Sequence, residues 1–245
     1  MKILVPIKRV VDPYAQVKPL SDGSGLDTAS VKFDINPFDE IAMEEAVRQK
    51  EQNPAITITA ISIGGSECEE QLRKALAMGA DDAILVETTD ALDSSVVAAE
   101  LAAAATQLQP DLIIMGKQAT DDDACQAGQI LAAKLGWGQS TFASKVVLSD
   151  GKASVTRETD SGEETLELGL PCIITTDLRL NEPRYIALPG IIKARSKPLA
   201  KQERATTATP KTKVVGYEAP PARQAGQKVG SVDELIAGLK SRGVL

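Results

Sequence analysis

Two polar segments of the chain carry more functional side chains than folding alone requires. The first, residues 179–185, reads Arg-Leu-Asn-Glu-Pro-Arg-Tyr and leads into an apolar stretch with further basic residues up to Arg195. The second, residues 116–129, reads Gly-Lys-Gln-Ala-Thr-Asp-Asp-Asp-Ala-Cys-Gln-Ala-Gly-Gln. Charged and amide side chains of this kind make strong hydrogen bonds to anions and to protein partners. The two segments therefore predict binding chemistry.

Residues for catalysis are less evident. Histidine is absent, which removes the commonest general base and the commonest metal ligand and makes hydrolytic chemistry less expected. The three cysteines, Cys68, Cys125 and Cys172, are far apart and odd in number. They predict neither a disulfide framework nor a zinc site, and they favour a reducing compartment. We therefore expect no metal site and no catalytic residues.

The charge is unevenly distributed. The net charge is −7, but residues 179–213 contain nine Lys or Arg against Glu182 and Glu203 only, so this segment carries +7 and the rest −14. Tyr185 is its single aromatic residue, which argues against nucleic acid and favours protein docking or a solvated arm. The composition, 43% apolar and 25% charged, is typical of a soluble globular protein. No apolar run has the length of a secretory signal core or of a membrane span.

The elements that must position the second segment alternate between strand and helix. Strands are predicted at residues 2–7, 56–63, 83–86 and 111–115, and helices begin at Asn36-Pro37, at a Ser66/Glu69 capping box, near Ser95 and at Asp121. This alternation predicts a doubly wound, mostly parallel α/β sheet of the Rossmann-like, adenine-nucleotide-binding type. In the order 3-2-1-4-5, a ligand lies beyond strands one and four, at residues 6–8 and 116–120.

The helix predicted over residues 121–135 has two interpretations. Its N-terminal N–H groups suit a phosphate. Alternatively, Asp121, Asp122 and Asp123 only cap the helix, and their carboxylates repel an anion.

In the second half of the chain the apolar residues recur with a different period. Residues 141–148, 152–158 and 163–168 predict an antiparallel extension, and residues 171–176 predict a buried strand. After Leu188 the chain is polar and irregular, and it ends in a helix capped by Ser231 and Glu234. We expect a nucleotide-binding domain over residues 1–190 and, over residues 191–245, a basic docking segment with a long C-terminal arm that packs on a partner.

The string from Arg179 to Arg195 resembles the signature of the electron transfer flavoprotein beta-subunit family, and the resemblance extends over nearly the whole chain. It implies a heterodimer with an alpha subunit that carries most of the FAD site. It also implies a structural AMP in this subunit, docking of acyl-CoA and related dehydrogenases of fatty acid oxidation, and electron delivery to a quinone oxidoreductase. Such a subunit is a carrier and not an enzyme. Its implied location is the cytoplasm, or the mitochondrial matrix in a eukaryote.

The resemblance also implies site residues. Those of the AMP site are Pro6, Asn36, Pro37, Phe38, Asp39, Ile63, Gly116, Lys117, Gln118, Ala119, Thr120, Asp121, Asp122, Asp123, Ala124, Cys125, Gln126 and Ala127. Where the family commonly has Asn-Gln-Thr-Gly-Gln, this chain has Cys125, Gln126, Ala127, Gly128 and Gln129. An amide and a hydroxyl are lost, which predicts weaker AMP binding or a compensating contact.

The docking anchor implied by the resemblance is Leu188, since one exposed apolar residue ringed by polar ones localises the energy of a transient interface. The alternative is that Leu188 packs on its own domain. Arg184 and Tyr185 either take part in docking or are structural, pairing with Glu182 or the sheet. Tyr14 either contacts the flavin edge or lies in a surface turn.

Two other functions remain open. A bifurcating relative would hold a second FAD in the pocket instead of AMP. A stand-alone adenine-nucleotide sensor would have the same sheet, but it would leave residues 179–185 unexplained.

Overall fold

The computed structural model describes all 245 residues, Met1–Leu245. Their contacts form two compact units. The first comprises Met1–Val17 and Thr28–Val214, and the second comprises Lys18–Asp27 and Val215–Leu245. The predicted boundary at residue 190 stays a prediction, because these units describe contacts and not independent folding.

The strands and helices are as follows. The strands are β1 (Lys2–Pro6), β2 (Arg9–Val11), β3 (Lys18–Pro19), β4 (Leu26–Asp27), β5 (Phe33–Ile35), β6 (Thr57–Gly64), β7 (Asp82–Glu87), β8 (Leu112–Gly116), β9 (Gly138–Ser149), β10 (Lys152–Thr159), β11 (Gly162–Gly169), β12 (Cys172–Thr176) and β13 (Leu199–Glu203). The helices are α1 (Pro37–Gln52), α2 (Glu69–Met78), α3 (Ser94–Leu108), α4 (Ala127–Leu135), α5 (Leu188–Ala194) and α6 (Val232–Ser241).

One nine-stranded sheet organises the first unit, in the order β11-β10-β9-β12-β8-β1-β6-β7-β13. The seven strands β9, β12, β8, β1, β6, β7 and β13 pair in parallel with their neighbours in this order. The pairs β9–β10 and β10–β11 are antiparallel. The predicted doubly wound sheet and its antiparallel extension are confirmed. Strands β7, β6, β1 and β8 stand in the predicted order, so the strand order reverses between β1 and β8.

Apolar residues cover both faces of this sheet. Ile3 and Val5 of β1 pack with residues of α1 and α2 on one face, whereas Leu4 packs with residues of α3 and α4 on the other. Every residue of β8 and β12 is buried. Burial along the whole strand is what a parallel strand with helices on both sides of the sheet shows, and β12 also buries the polar residues Thr175 and Thr176.

The predicted helix at 121–135 is wrong in its first turns, because α4 begins only at Ala127. Asp123 and Cys125 have φ values of 48° and 52°, in the left-handed region. The Asp122 carboxylate accepts a hydrogen bond from the Ala124 N–H at 3.1 Å. This local bond stabilises a turn in place of a helical turn, as aspartate often does.

The Ser66/Glu69 capping box is also wrong, because Ser66–Cys68 form a 3₁₀ turn and no side chain caps it. Glu69 instead contacts Lys201 at 2.8 Å. The start of α1 at Asn36 and Pro37 is confirmed, although the Asn36 side chain makes no cap bond. Ser231 caps α6 by accepting from the Glu234 N–H, while the Glu234 carboxylate accepts from Gly230.

The chain after Leu188 is more regular than the sequence indicated. Helix α5 follows at once, and β13 extends the sheet beside β7, with Leu199 opposite Ala83. A five-residue strand with only Leu199 and Gln202 half-buried has too little apolar alternation to be recognised from sequence.

The second unit is small. It contains the β3–β4 ladder, a hydrogen bond from the Tyr217 N–H to the Gly23 carbonyl at 2.9 Å, and α6, none of whose residues is buried. Across the chain, no helix combines the length and the apolar character needed to cross a membrane.

Candidate functional site

A pocket with a cavity volume of about 160 Å³ lies beyond the carboxyl ends of β1, β6 and β8, where the strand order reverses. Most of the residues that the resemblance implied for a nucleotide line it. These are Pro6, Asn36, Asp39, Ile63, Gly116, Lys117, Gln118, Ala119, Asp122, Ala124, Cys125, Gln126 and Ala127.

Five implied residues lie outside the pocket lining: Pro37, Phe38, Thr120, Asp121 and Asp123. They support the lining residues. Pro37 begins α1, and the Phe38 ring lies 5.3 Å from the Lys117 ammonium. The N–H of Thr120 donates to the Asn36 side chain at 3.3 Å. Asp121 and Asp123 bind side chains of the pocket wall, as described below.

One wall of the pocket was not predicted from the sequence. The unexpected lining residues are Ile61, Leu92, Asp93, Ser94, Val97, Leu101 and Met115, whereas Ile7, Lys8 and Gly128 fall within the predicted ranges 6–8 and 116–129. Several belong to the start of α3, which follows β7 at the same edge of the sheet. The available signal was Asp93-Ser94-Ser95, whose aspartate caps α3 by accepting from the Ser95 and Val96 N–H groups.

The lining combines apolar and polar surface. Apolar side chains come from β6, α3 and β8, and they are Ile61, Ile63, Val97, Leu101 and Met115. Polar groups come from the loops after β1 and β8 and from the start of α4. An apolar wall with a few placed polar groups suits a ligand that has a flat ring and an anionic end.

Asp39 holds the two central strand ends together. Its Oδ2 accepts from the Lys8 N–H at 2.8 Å, and its Oδ1 accepts from the Gly116 N–H at 3.0 Å. Gly116 must be glycine here, since a Cβ would lie 2.7 Å from the Phe38 Cβ and overlap the Asp39 carboxylate. Asp39 thus fixes the ends of β1 and β8 relative to α1.

Asn36 fixes the next part of the loop. Its Nδ2 donates to the Gln118 carbonyl at 2.8 Å, and its Oδ1 accepts from the Thr120 N–H at 3.3 Å. Asn36 is buried, so these bonds satisfy polar groups that have no water partner. The side chain that was expected to cap α1 therefore shapes the pocket instead.

The negative charge of the aspartate run is partly compensated by contacts within the site. The Lys8 ammonium lies 2.7 Å from Asp121 and 3.0 Å from Asp122. The Gln118 amide donates to Asp123 at 2.7 Å. These contacts reduce the repulsion that three carboxylates would exert on a phosphate. The aspartates do not cap α4, so the capping interpretation is wrong, whereas phosphate binding at the start of α4 stays a prediction.

Asp39 gives a pH prediction. Burial raises the pKa of the Asp39 carboxyl to about 7, against hydrogen bonds from Lys8, Asn36 and Gly116 that lower it. Because the folded state holds this proton up to about pH 7 and the unfolded state only to about pH 4, the contribution of Asp39 to stability falls as the pH rises between these values.

The Asp39→Asn variant removes this titration. We expect the free energy of unfolding of the variant to increase relative to that of wild type as the pH rises from 4.5 to 7.5, as measured by denaturant titration. Asp150→Asn, at an exposed turn, provides the baseline. A difference that does not change with pH would contradict the prediction.

Helix α5 presents apolar side chains to solvent. Leu188, Ile191 and Ile192 of α5 are 67%, 43% and 59% exposed. Leu188 therefore does not pack into its own domain. Tyr185 is 95% exposed and lies just before α5.

Arg184 makes ion pairs with its own domain, its partners are not the ones expected, and its part in docking stays a prediction. Its guanidinium binds both oxygens of Glu44, at 2.7 and 3.0 Å, and lies 2.6 Å from Glu51. Burial acts to raise the pKa of Glu44, but hydrogen bonds from Arg184 and Arg48 outweigh it and hold the pKa below its usual value. The sequence interpretation that paired Arg184 with Glu182 is wrong, since both acids belong to α1.

Tyr14 is 94% exposed in the turn after β2, where its N–H donates to Asp12 at 2.9 Å. This is the surface-turn arrangement, and the contact with a flavin edge stays a prediction.

An open parallel sheet with a pocket at its switch point defines a Rossmann-like α/β protein. Comparison with known proteins narrows the class. The electron transfer flavoprotein domain matches residues 24–207. The chain is 49% identical to the electron transfer flavoprotein subunit beta of Bradyrhizobium diazoefficiens, over 100% of both chains. It is 50% identical to the mitochondrial subunit beta of Arabidopsis thaliana, over 98% of both, and 45% identical to the human subunit beta, over 99% of this chain and 98% of the human one.

The chain therefore belongs to the electron transfer flavoprotein beta-subunit family. Membership implies a role in flavin-dependent electron transport, an alpha-subunit partner, and the work of a carrier rather than an enzyme.

Proposed function

We propose that the chain binds AMP in the pocket at the β1/β8 switch point and helps to enclose an FAD held mainly by the alpha subunit. In this proposal the heterodimer accepts electrons from acyl-CoA and related dehydrogenases and delivers them to a quinone oxidoreductase. The observation that carries the nucleotide assignment is the convergence of Asn36, Asp39 and residues 116–127 on one pocket. The cytoplasmic location stays a prediction.

The pocket lining fits a nucleotide monophosphate. The apolar side chains of β6, α3 and β8 offer a surface for a base. Ala127 and Gly128, the first residues of α4, belong to the lining, and a helix N-terminus favours an anion. Lys117 and Gln126 add polar side chains to the same wall. The AMP would act structurally, because the site presents no nucleophile activated by a neighbouring base.

Helix α5 supports the docking proposal. Leu188, Ile191 and Ile192 stand at positions i, i+3 and i+4, which places them on one stripe of the helix. Exposed stripes of this spacing bind apolar grooves in partner proteins. Lys193 and Arg195 follow in a segment of net positive charge, so a dehydrogenase groove with an acidic rim is the expected counterpart.

The test is to co-express the chain with its alpha subunit, denature the purified heterodimer and quantify the released nucleotides by chromatography. We expect one FAD and one AMP per dimer. Two FAD without AMP would assign the pocket to a second flavin, as in a bifurcating relative, and a dimer without FAD would overturn the electron-transfer proposal.

Ala127 provides a further prediction. Ala127→Thr restores a hydroxyl at the start of α4, where it can donate to a phosphate. A hydrogen bond to a charged group contributes about 1.5–3 kcal/mol, so AMP should bind roughly tenfold more tightly or better. Isothermal titration of nucleotide-stripped heterodimer measures the affinity, with Ala124→Ser as the control for an added hydroxyl elsewhere in the loop. Unchanged affinity would mean that position 127 does not face the phosphate.

A further inference from the structure

Two basic side chains join α5 to α2 by reciprocal hydrogen bonds. Arg73, on α2, donates from Nη1 to the carbonyls of Ala194 and Lys197 at the end of α5, both at 2.9 Å. Lys197, just after α5, donates from Nζ to the carbonyls of Leu76 and Ala80 at the end of α2, at 2.9 and 2.5 Å. Each element thus supplies the cation that caps the other one.

These bonds are favourable at both helix ends. The last carbonyls of a helix have no partner within the helix, and they carry the negative end of its dipole. A cation that binds them satisfies both the acceptors and the dipole. Because the two donors belong to different elements, α5 is restrained at one end from two directions.

Close packing restrains α5 further. Gly190, in the first turn, approaches the Ala77 carbonyl of α2 so closely that a Cβ would lie 2.9 Å from the oxygen. Ala194, in the last turn, is buried. The closest approach of α5 to α2 is thus made by small residues, Ile191 lines a surface cleft with α2, and the larger side chains Leu188 and Ile192 remain exposed.

We propose that Arg73 and Lys197 are positioning residues for docking. They hold α5 in one orientation on α2, so that Leu188, Ile191 and Ile192 are presented to a partner without a cost in ordering the helix. Neither residue needs to touch the partner. This inference rests on the proposed docking function of α5 and adds the two residues that maintain its geometry.

The test uses the holo heterodimer and an electron-donating acyl-CoA dehydrogenase. The initial rate of flavin reduction is measured against heterodimer concentration for Arg73→Met, Lys197→Met and the double variant. We expect the half-saturating concentration to rise about five- to tenfold, with an unchanged maximal rate. Reduction by dithionite, which needs no docking, should be unaffected. Lys134→Met removes an exposed cation from α4 and serves as the matched control.

A double-mutant cycle separates positioning from general destabilisation. Leu188→Ala should raise the half-saturating concentration less in the Arg73→Met/Lys197→Met background than in wild type, because an unrestrained α5 has already lost part of the contribution of Leu188. Arg73→Lys keeps the charge and one donor, so it should recover part of the wild-type behaviour and remains informative if Arg73→Met does not fold.

The outcomes for the two proposals are distinct. If Leu188→Ala weakens docking but the Arg73 and Lys197 variants leave the half-saturating concentration unchanged, the positioning role is overturned and the docking function stands. The positioning role is also overturned if the effects of Leu188→Ala are equal in both backgrounds. If Leu188→Ala itself has no effect, the docking function fails, and the positioning role fails with it.

Discussion

Replacing Leu188 with alanine should raise the heterodimer concentration that half-saturates a dehydrogenase by about thirtyfold or more. Leu188 is 67% exposed at the first position of α5, and it is the most exposed member of the apolar stripe. Truncation of a central interface anchor typically costs about 2 kcal/mol or more, which corresponds to this change in affinity. Steady-state reduction of the flavin at varied heterodimer concentration measures it.

The nucleotide content of the variant is the internal control of that experiment. Because Leu188 is remote in sequence from every pocket residue and absent from the pocket lining, the FAD and AMP released from the variant should equal those of wild type. Val147→Ala removes apolar surface from an exposed position of β9 and should leave the half-saturating concentration unchanged. An unchanged half-saturating concentration for Leu188→Ala would show that docking uses another surface.

The largest loss of stability is expected for Glu100→Ala. Glu100 lies on α3 with a side chain only 1% exposed, and it pairs with the Arg204 guanidinium at 3.1 Å. It also accepts from the N–H groups of Ala205 and Thr206, at 2.9 and 3.2 Å, and from the Thr206 hydroxyl. One buried carboxylate therefore anchors the segment that follows β13.

Removing one partner of a buried ion pair costs about 3–5 kcal/mol, since the remaining charge and donors lose their acceptor. For Glu100→Ala we expect a fall of this size in the free energy of unfolding, measured in denaturant, and faster proteolysis within residues 204–212. Glu167→Ala is the matched control, because Glu167 pairs with Lys152 in an exposed position and should contribute less than about 1 kcal/mol. Equal effects of the two substitutions would contradict the anchoring role.

The central sheet could be predicted because its apolar patterns are strong. β8 is a continuous apolar run and β12 begins with one, Cys172–Ile174, so their buried positions follow directly from the sequence. The elements that were missed depend on interactions between distant residues. β13 joins the sheet because β7 offers a free edge, and Arg73 and Lys197 fix the preceding helix; no local pattern contains this information.

The site was predictable for a different reason. The ends of β1 and β8 meet wherever a parallel sheet has this strand order, so residues 6 and 116–120 could be brought together from topology alone. The wall formed by α3 was missed, because Val97 and Leu101 look like ordinary core residues of an alanine-rich helix. The loop at 121–126 was read as helix, because aspartates at a helix start and aspartates in a turn give similar sequences.

The two outermost strands have a consequence for aggregation. A long sheet with open edges is a template for strands of other chains. At one edge β13 is only five residues long and includes Lys201 and Glu203, and at the other β11 carries Glu163, Glu164 and Glu167. Short edges and like charges oppose pairing between copies. The sheet that holds the pocket is thereby protected at high concentration, and neutralising the three glutamates of β11 should promote edge-to-edge fibrils.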